Sequence, residues 1–152
     1  MLNDNFVDKH KKEVTALDTC GDFLLSVSKD MDLVIWSITS KAFLSRLQLG
    51  VNITSIKMFG DKVFVGMDTG NVKVFLHMGK GDIVQQQSIS GHVDNVTDMD
   101  ANADYLVTGG KDGALKVWSF QNLKLIRSMK QHLSPVKLNQ LKIFINHQLV
   151  MI

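Results

Sequence analysis

The chain has 152 residues, 45% apolar and 21% charged, a balance that suits a globular protein with one modest core. A net charge of +2 is too mild for a nucleic-acid surface, which needs a clustered basic face, and the single cysteine, Cys20, excludes an internal disulfide and fits a reducing compartment. The first residues lack an apolar core of signal-peptide length and no stretch approaches a membrane span, so the sequence reads as soluble and intracellular, cytoplasmic in the first instance with the nucleus also open.

In chain order, Asn5-Phe6-Val7-Asp8 is a short alternation directly before His10, in the register of an outer strand belonging to a preceding repeat. Residues 13–18, 23–28, 33–37 and 42–48 then read as four short strands, rich in β-branched and apolar residues, with turns at 19–22 and 29–32. Cys20 falls in the first of these turns, with no base at an informative spacing. A second set covers 53–56, 62–66, 71–76 and 83–89, and a third covers 95–100, 104–108, 114–119 and 124–129. Val14/Leu17, Ile53/Ile56 and Val96/Met99 are each three apart, a break in alternation that predicts a β-bulge in the first strand of every set.

The sets share more than apolar pattern. His10, Ser26, Asp30 and Trp36 recur as His92, Thr108, Asp112 and Trp118 with identical offsets of 16, 20 and 26 residues from the histidine. Self-similarity of this kind signals a repeat architecture. In the middle set the corresponding places hold Leu49, Val65, Thr69 and Phe75, so three of the four polar or indole groups are lost together. A half-satisfied buried polar network is worse than an apolar one, which predicts a mainly apolar cluster there. A further start is visible at His132 and Val136, after which the pattern fails.

Gly91-His92 and the Thr-Gly-Gly-Lys-Asp-Gly turn before an apolar-Trp strand resemble a WD repeat, the roughly 40–45-residue unit that folds as one blade of a β-propeller. One departure is plain: Trp36 and Trp118 are each followed by Ser37 and Ser119 rather than Asp. The resemblance covers about residues 10–137. It implies an all-β fold, a partial β-propeller of three four-stranded antiparallel blades (10–49, 50–90, 91–131) with an incomplete fourth. Residues 1–137 then form the propeller segment and 138–152 an apolar tail without a repeat signature. It further implies that each His, Ser/Thr, Asp and Trp set is a buried hydrogen-bonded tetrad, and that the loops carrying His and Asp line one face that binds other proteins. The expected partner-facing residues there are Lys11, Lys12, Glu13, Lys29, Met67, Asp68, Asp94, Asn95 and Lys111.

Sharper chemical readings have plainer rivals. His92, Thr108 and Asp112 have the residue types of a catalytic triad, but catalysis requires no second copy with its own Trp, so no catalytic group is expected. Asp94, Asp98 and Asp100 lack the glycine and terminal glutamate of a calcium loop and read as solvated surface acids; no metal or cofactor is expected. Gly79-Lys80-Gly81-Asp82 lacks a P-loop ending and reads as a hairpin loop. Two lysines at Lys11 and Lys12 are too few for a lipid site. The expected function is therefore a protein-binding scaffold, with some self-association through unpaired propeller edges. The alternatives are a ubiquitin-ligase recognition propeller, for which no adaptor-binding domain is seen, and a propeller-based enzyme subunit.

Overall fold

The computed structural model describes residues 9–130; the expected strand at 5–8, the fourth repeat start at His132 and the tail at 138–152 lie outside the described residues. Twelve strands and no helix occur among the described residues. They are β1 (Val14–Cys20), β2 (Phe23–Ser28), β3 (Asp32–Ser37), β4 (Ala42–Gln48), β5 (Ile53–Phe59), β6 (Lys62–Met67), β7 (Asn71–His77), β8 (Ile83–Ser90), β9 (Val96–Ala101), β10 (Tyr105–Gly110), β11 (Leu115–Ser119) and β12 (Leu125–Met129). Consecutive strands pair antiparallel into three separate four-stranded sheets, β1–β4, β5–β8 and β9–β12. The architecture is all-β, three blades in sequence. Cys20 closes β1 instead of sitting in the turn, because β1 pairs one step further, with Cys20 opposite Phe23.

A bulge interrupts the first strand of every blade. Thr15, Thr54 and Thr97 are the inserted residues, each lying between two residues whose partners on the next strand are adjacent. The extra residue re-aims the rest of the strand, so that Ile53 and Ile56, or Val96 and Met99, reach one side although three apart. A second bulge, not legible in the sequence, recurs between the third and fourth strands, where Leu44, Gln86 and Ile126 are inserted opposite the Trp36, Phe75 and Trp118 positions.

The blades pack face on face. Leu25, Val27, Leu33 and Ile35 of the first blade meet Ile53, Ile56, Met58, Val63, Val65 and Phe75 of the second. Phe64, Val72, Val74 and Ile89 on the other side of the second blade meet Val96, Met99, Ala101, Leu106 and Trp118 of the third. Each side chain buried this way contributes about 1.5–3 kcal/mol, so the inter-blade faces are the principal core. At the first blade the leading face stays open. Val14 is 45% and Leu17 62% exposed, whereas the equivalent Ile53 and Ile56 are 5% and 7%, and Val96 and Met99 are 0% and 1%. The inner strands β1, β5 and β9 line a cavity of about 280 Å³ at the centre.

Candidate functional site

The loop before β1 carries His10 and the β2–β3 turn carries Asp30, while Ser26 and Trp36 sit on the two central strands. Antiparallel pairing brings the start of the first strand, the end of the second and the start of the third to one rim, where His10 and Asp30 meet; Ser26 lies further in on β2, and Trp36, near the other end of β3, reaches it with its indole. The Trp36 indole donates to Ser26 Oγ at 3.0 Å, and Ser26 Oγ lies 2.8 Å from His10 Nε2. His10 Nδ1 lies 3.1 Å from Asp30 Oδ2. An indole only donates and a carboxylate only accepts, so the chain has one consistent polarity: Trp N–H to hydroxyl, hydroxyl to Nε2, and Nδ1–H to carboxylate.

The third blade repeats this geometry. Trp118 Nε1 donates to Thr108 Oγ1 at 3.1 Å, Thr108 Oγ1 lies 2.8 Å from His92 Nε2, and His92 Nδ1 lies 3.1 Å from Asp112 Oδ1. Each carboxylate also accepts two backbone N–H bonds, from Lys11 and Asp32 onto Asp30 and from Val93 and Ala114 onto Asp112. The aspartate thereby fastens the incoming loop to the hairpin turn. Thr108, Trp118 and His92 are buried in the third blade, whereas Trp36 in the first is only half-buried, beside the open leading face.

Burial shifts the titrations. Desolvation is the largest effect on His92 and pushes its pKa below the ordinary imidazole range, against the opposing pull of Asp112. At Asp112 burial acts to raise the pKa, but the N–H donors of Ala114 and Val93 and the His92 ring together hold it below the usual carboxylate value. Asp30 is lowered in the same way, burial being outweighed by Lys11, Asp32 and His10.

Asp–His–hydroxyl connectivity through Nδ1 and Nε2 is also that of a hydrolase triad. Here Thr108 is 0% exposed and its Oγ1 accepts a hydrogen bond from the Trp118 indole N–H, so the hydroxyl is closed off from any substrate it could attack.

In the second blade Val65 and Phe75 are buried, and Leu49 packs against the same cluster. Thr69 stands outside it, exposed in the β6–β7 turn. That turn serves the third blade instead. Gly70, at φ +88°, offers its carbonyl to Gly91 N–H at 3.2 Å and His92 N–H at 2.8 Å. A Cβ there would collide with the His92 carbonyl oxygen.

The rim loops are tied by one recurring backbone bond: Lys29 N–H to Glu13 carbonyl at 2.9 Å, Asp68 to Asn52 at 3.2 Å, and Lys111 to Asn95 at 2.8 Å. This places Lys11, Lys12, Glu13, Lys29, Asp68, Asp94, Asn95 and Lys111 along one rim. Six are exposed; Asp68 and Asn95 are half-buried and adjoin across the blade boundary, where the Asn95 amide, oriented with its nitrogen toward Asp68, donates to the Asp68 carbonyl at 2.8 Å. Met67 departs from expectation: it is 3% exposed, because β6 extends through it and turns its side chain inward opposite Ile53. Sequence reasoning missed Val93, 91% exposed on the same rim directly after His92. An apolar residue in a loop position filled by Lys11 in the first repeat was the available signal.

A further correction concerns charge. Asp100 is buried rather than solvated, since Lys57 of the neighbouring blade reaches it at 3.1 Å. Ser37, in the place of the usual post-Trp aspartate, donates to Asp22 Oδ2 at 2.6 Å while Asp22 Oδ1 accepts the Thr39 N–H at 2.7 Å. The Ser37 bond is the largest of the effects that lower the Asp22 pKa. Gly79–Asp82 is the hairpin loop between β7 and β8, closed by Met78 N–H to the Asp82 carbonyl at 2.8 Å.

Comparison with known proteins agrees with this anatomy. The family model "WD domain, G-beta repeat" matches residues 5–37 and 83–119. Mitochondrial division protein 1 of Saccharomyces cerevisiae is 27% identical over 129 residues, and zinc finger CCCH domain-containing protein 63 of Arabidopsis thaliana is 32% identical over 116. The alignments take in 85% and 75% of this chain but only 16% and 25% of those proteins. Putative E3 ubiquitin-protein ligase LIN-2 of Lotus japonicus is 25% identical over 72% of this chain and 8% of its own length. Among solved structures, the computationally designed Ika4 protein superposes with a TM-score of 0.72 at 26% identity, covering 86% of this chain and 80% of that one. U3-55K superposes at 0.74 with 16% identity, covering 84% and 42%. With the repeated tetrads, the three four-stranded blades and these matches in agreement, the chain belongs to the WD-repeat β-propeller family.

Proposed function

We propose that this chain is a non-catalytic, cytoplasmic protein–protein interaction scaffold that engages partners through the rim bearing Lys11, Lys12, Glu13, Lys29, Asp68, Val93, Asp94, Asn95 and Lys111. WD repeats imply an interaction propeller, and one observation carries the finer reading. In both tetrads the hydroxyl, imidazole and carboxylate are used up in bonds that hold the rim loops in place, leaving the loops' outer side chains as the presented chemistry. The rim combines lysines on the first blade with an apolar Val93 beside Asp94 on the third. The open leading face of the first blade supports a second mode, self-association.

The likeness to a Lotus japonicus protein described as a putative E3 ubiquitin-protein ligase favours a narrower version, recognition of proteins destined for ubiquitin transfer. The test is quantitative cross-linking in cell extract with wild type and the triple variant Lys11→Glu/Lys12→Glu/Val93→Asp. Specific cross-linked proteins should fall at least about fivefold with the melting temperature unchanged, as expected for exposed residues at an interface centre. An unchanged set of bound proteins overturns the rim assignment. Turnover of hydrolase substrates that disappears in Thr108→Val overturns the non-catalytic reading.

A further inference from the structure

The three blades place chemically alternating charges at one equivalent position of their inner strands: Asp18 on β1, Lys57 on β5 and Asp100 on β9, the first two lining the cavity between those strands. Lys57 Nζ stands 3.1 Å from Asp100 Oδ1 and 3.8 Å from Asp18 Oδ2. The three side chains are only 21%, 10% and 19% exposed in the order Lys57, Asp100, Asp18, so solvent screening of the pairs is incomplete. Each carboxylate is itself oriented by backbone: Asp18 Oδ2 accepts the Met58 N–H across the blade boundary at 2.7 Å, and Asp100 Oδ1 accepts the Ala101 N–H at 2.9 Å. The acids are therefore fixed and the flexible lysine divides itself between them.

We propose that Lys57 is a shared cation that couples the first and third blades energetically, so that a change in one blade is felt in the other through this side chain. The physical reason is competition. When either carboxylate loses its charge, the ammonium can move wholly onto the remaining one, which recovers part of the loss; when both are gone, nothing recovers it. Two sites on non-adjacent blades thus become non-additive, and a partner that displaces β1 alters how tightly Lys57 holds β9.

The test is a double-mutant cycle on the full chain with Asp18→Asn and Asp100→Asn, repeated in a Lys57→Met background. Asparagine keeps an oxygen for the Met58 and Ala101 N–H groups, so only the charge is removed. With Lys57 present, each single variant should melt about 2–4 °C lower and the double variant should fall by clearly more than the sum. In Lys57→Met the two changes should become additive. Amide exchange of Met58 gives a second readout: in Asp18→Asn it should speed up less than a lost hydrogen bond requires, and Asp100→Asn should leave it unaffected once Lys57 is absent. Additive shifts in both backgrounds overturn the proposal, as does non-additivity that survives Lys57→Met.

Discussion

A threonine hydroxyl has one proton to give and lone pairs to offer, and at Thr108 both are spent, on His92 and Trp118. Thr108→Val keeps the shape but strands a buried indole N–H and a buried imidazole nitrogen. Thermal and urea melting should show a loss of about 1–3 kcal/mol per stranded group, and Asp112→Ala should cost about the same through the unpaired His92 and the released Val93 and Ala114 amides. An Asp112→Ala protein as stable as wild type would contradict the role assigned to the carboxylate. The titrations predict acid sensitivity in two windows. His92 binds its proton less readily folded than unfolded, so stability falls as the pH drops through the unfolded histidine value near about 6.5, by no more than about 1.4 kcal/mol per pH unit for this ring. Asp30 and Asp112 are held below 3.8, so their contribution is present above that pH and is lost below it. Urea midpoints from pH 8 to 3 should decline in both windows; in His92→Gln the upper decline should shrink.

At the scale of the element, glycine and valine positions carry the argument. Gly21, at φ +58°, has open space around its would-be Cβ, while Gly70 has the His92 carbonyl in the way. Gly21→Ala should cost about 1–2 kcal/mol from left-handed strain alone. Gly70→Ala should cost more and loosen the third tetrad as well, visible as faster exchange of the His92 amide. In the second blade Val65→Ser should destabilise by about 1–3 kcal/mol, because its hydroxyl would enter a cluster with no tetrad to receive it; a gain in stability would sink the equivalence of Val65 with Ser26 and Thr108. The strands and inner bulges were legible because Ile53/Ile56 and Val96/Met99 write their geometry into apolar spacing. The outer bulges at Leu44, Gln86 and Ile126 were not, since three chemically unrelated residues share only a backbone offset. Asp100 was misread for a related reason: its partner, Lys57, comes from another blade, and local pattern reports only a residue's own strand. Met67 was misread because its rim position is set by strand length rather than residue type.

For the whole molecule, the decisive contrast is between equivalent faces. The positions that bury themselves at both inner junctions leave Val14 and Leu17 exposed at the first blade, at 45% and 62%. An apolar sheet face left open in this way favours contact with other chains, and the proposed scaffold role rests on surfaces of this kind being presented to other polypeptides. Sedimentation equilibrium of the purified chain over a hundredfold concentration range, with Leu17→Lys alongside, tests it most directly. Wild type should show concentration-dependent association, weakened at least about tenfold by Leu17→Lys, which places a charge in an apolar contact. A monodisperse monomer at every concentration, with Leu17→Lys behaving identically, would contradict it.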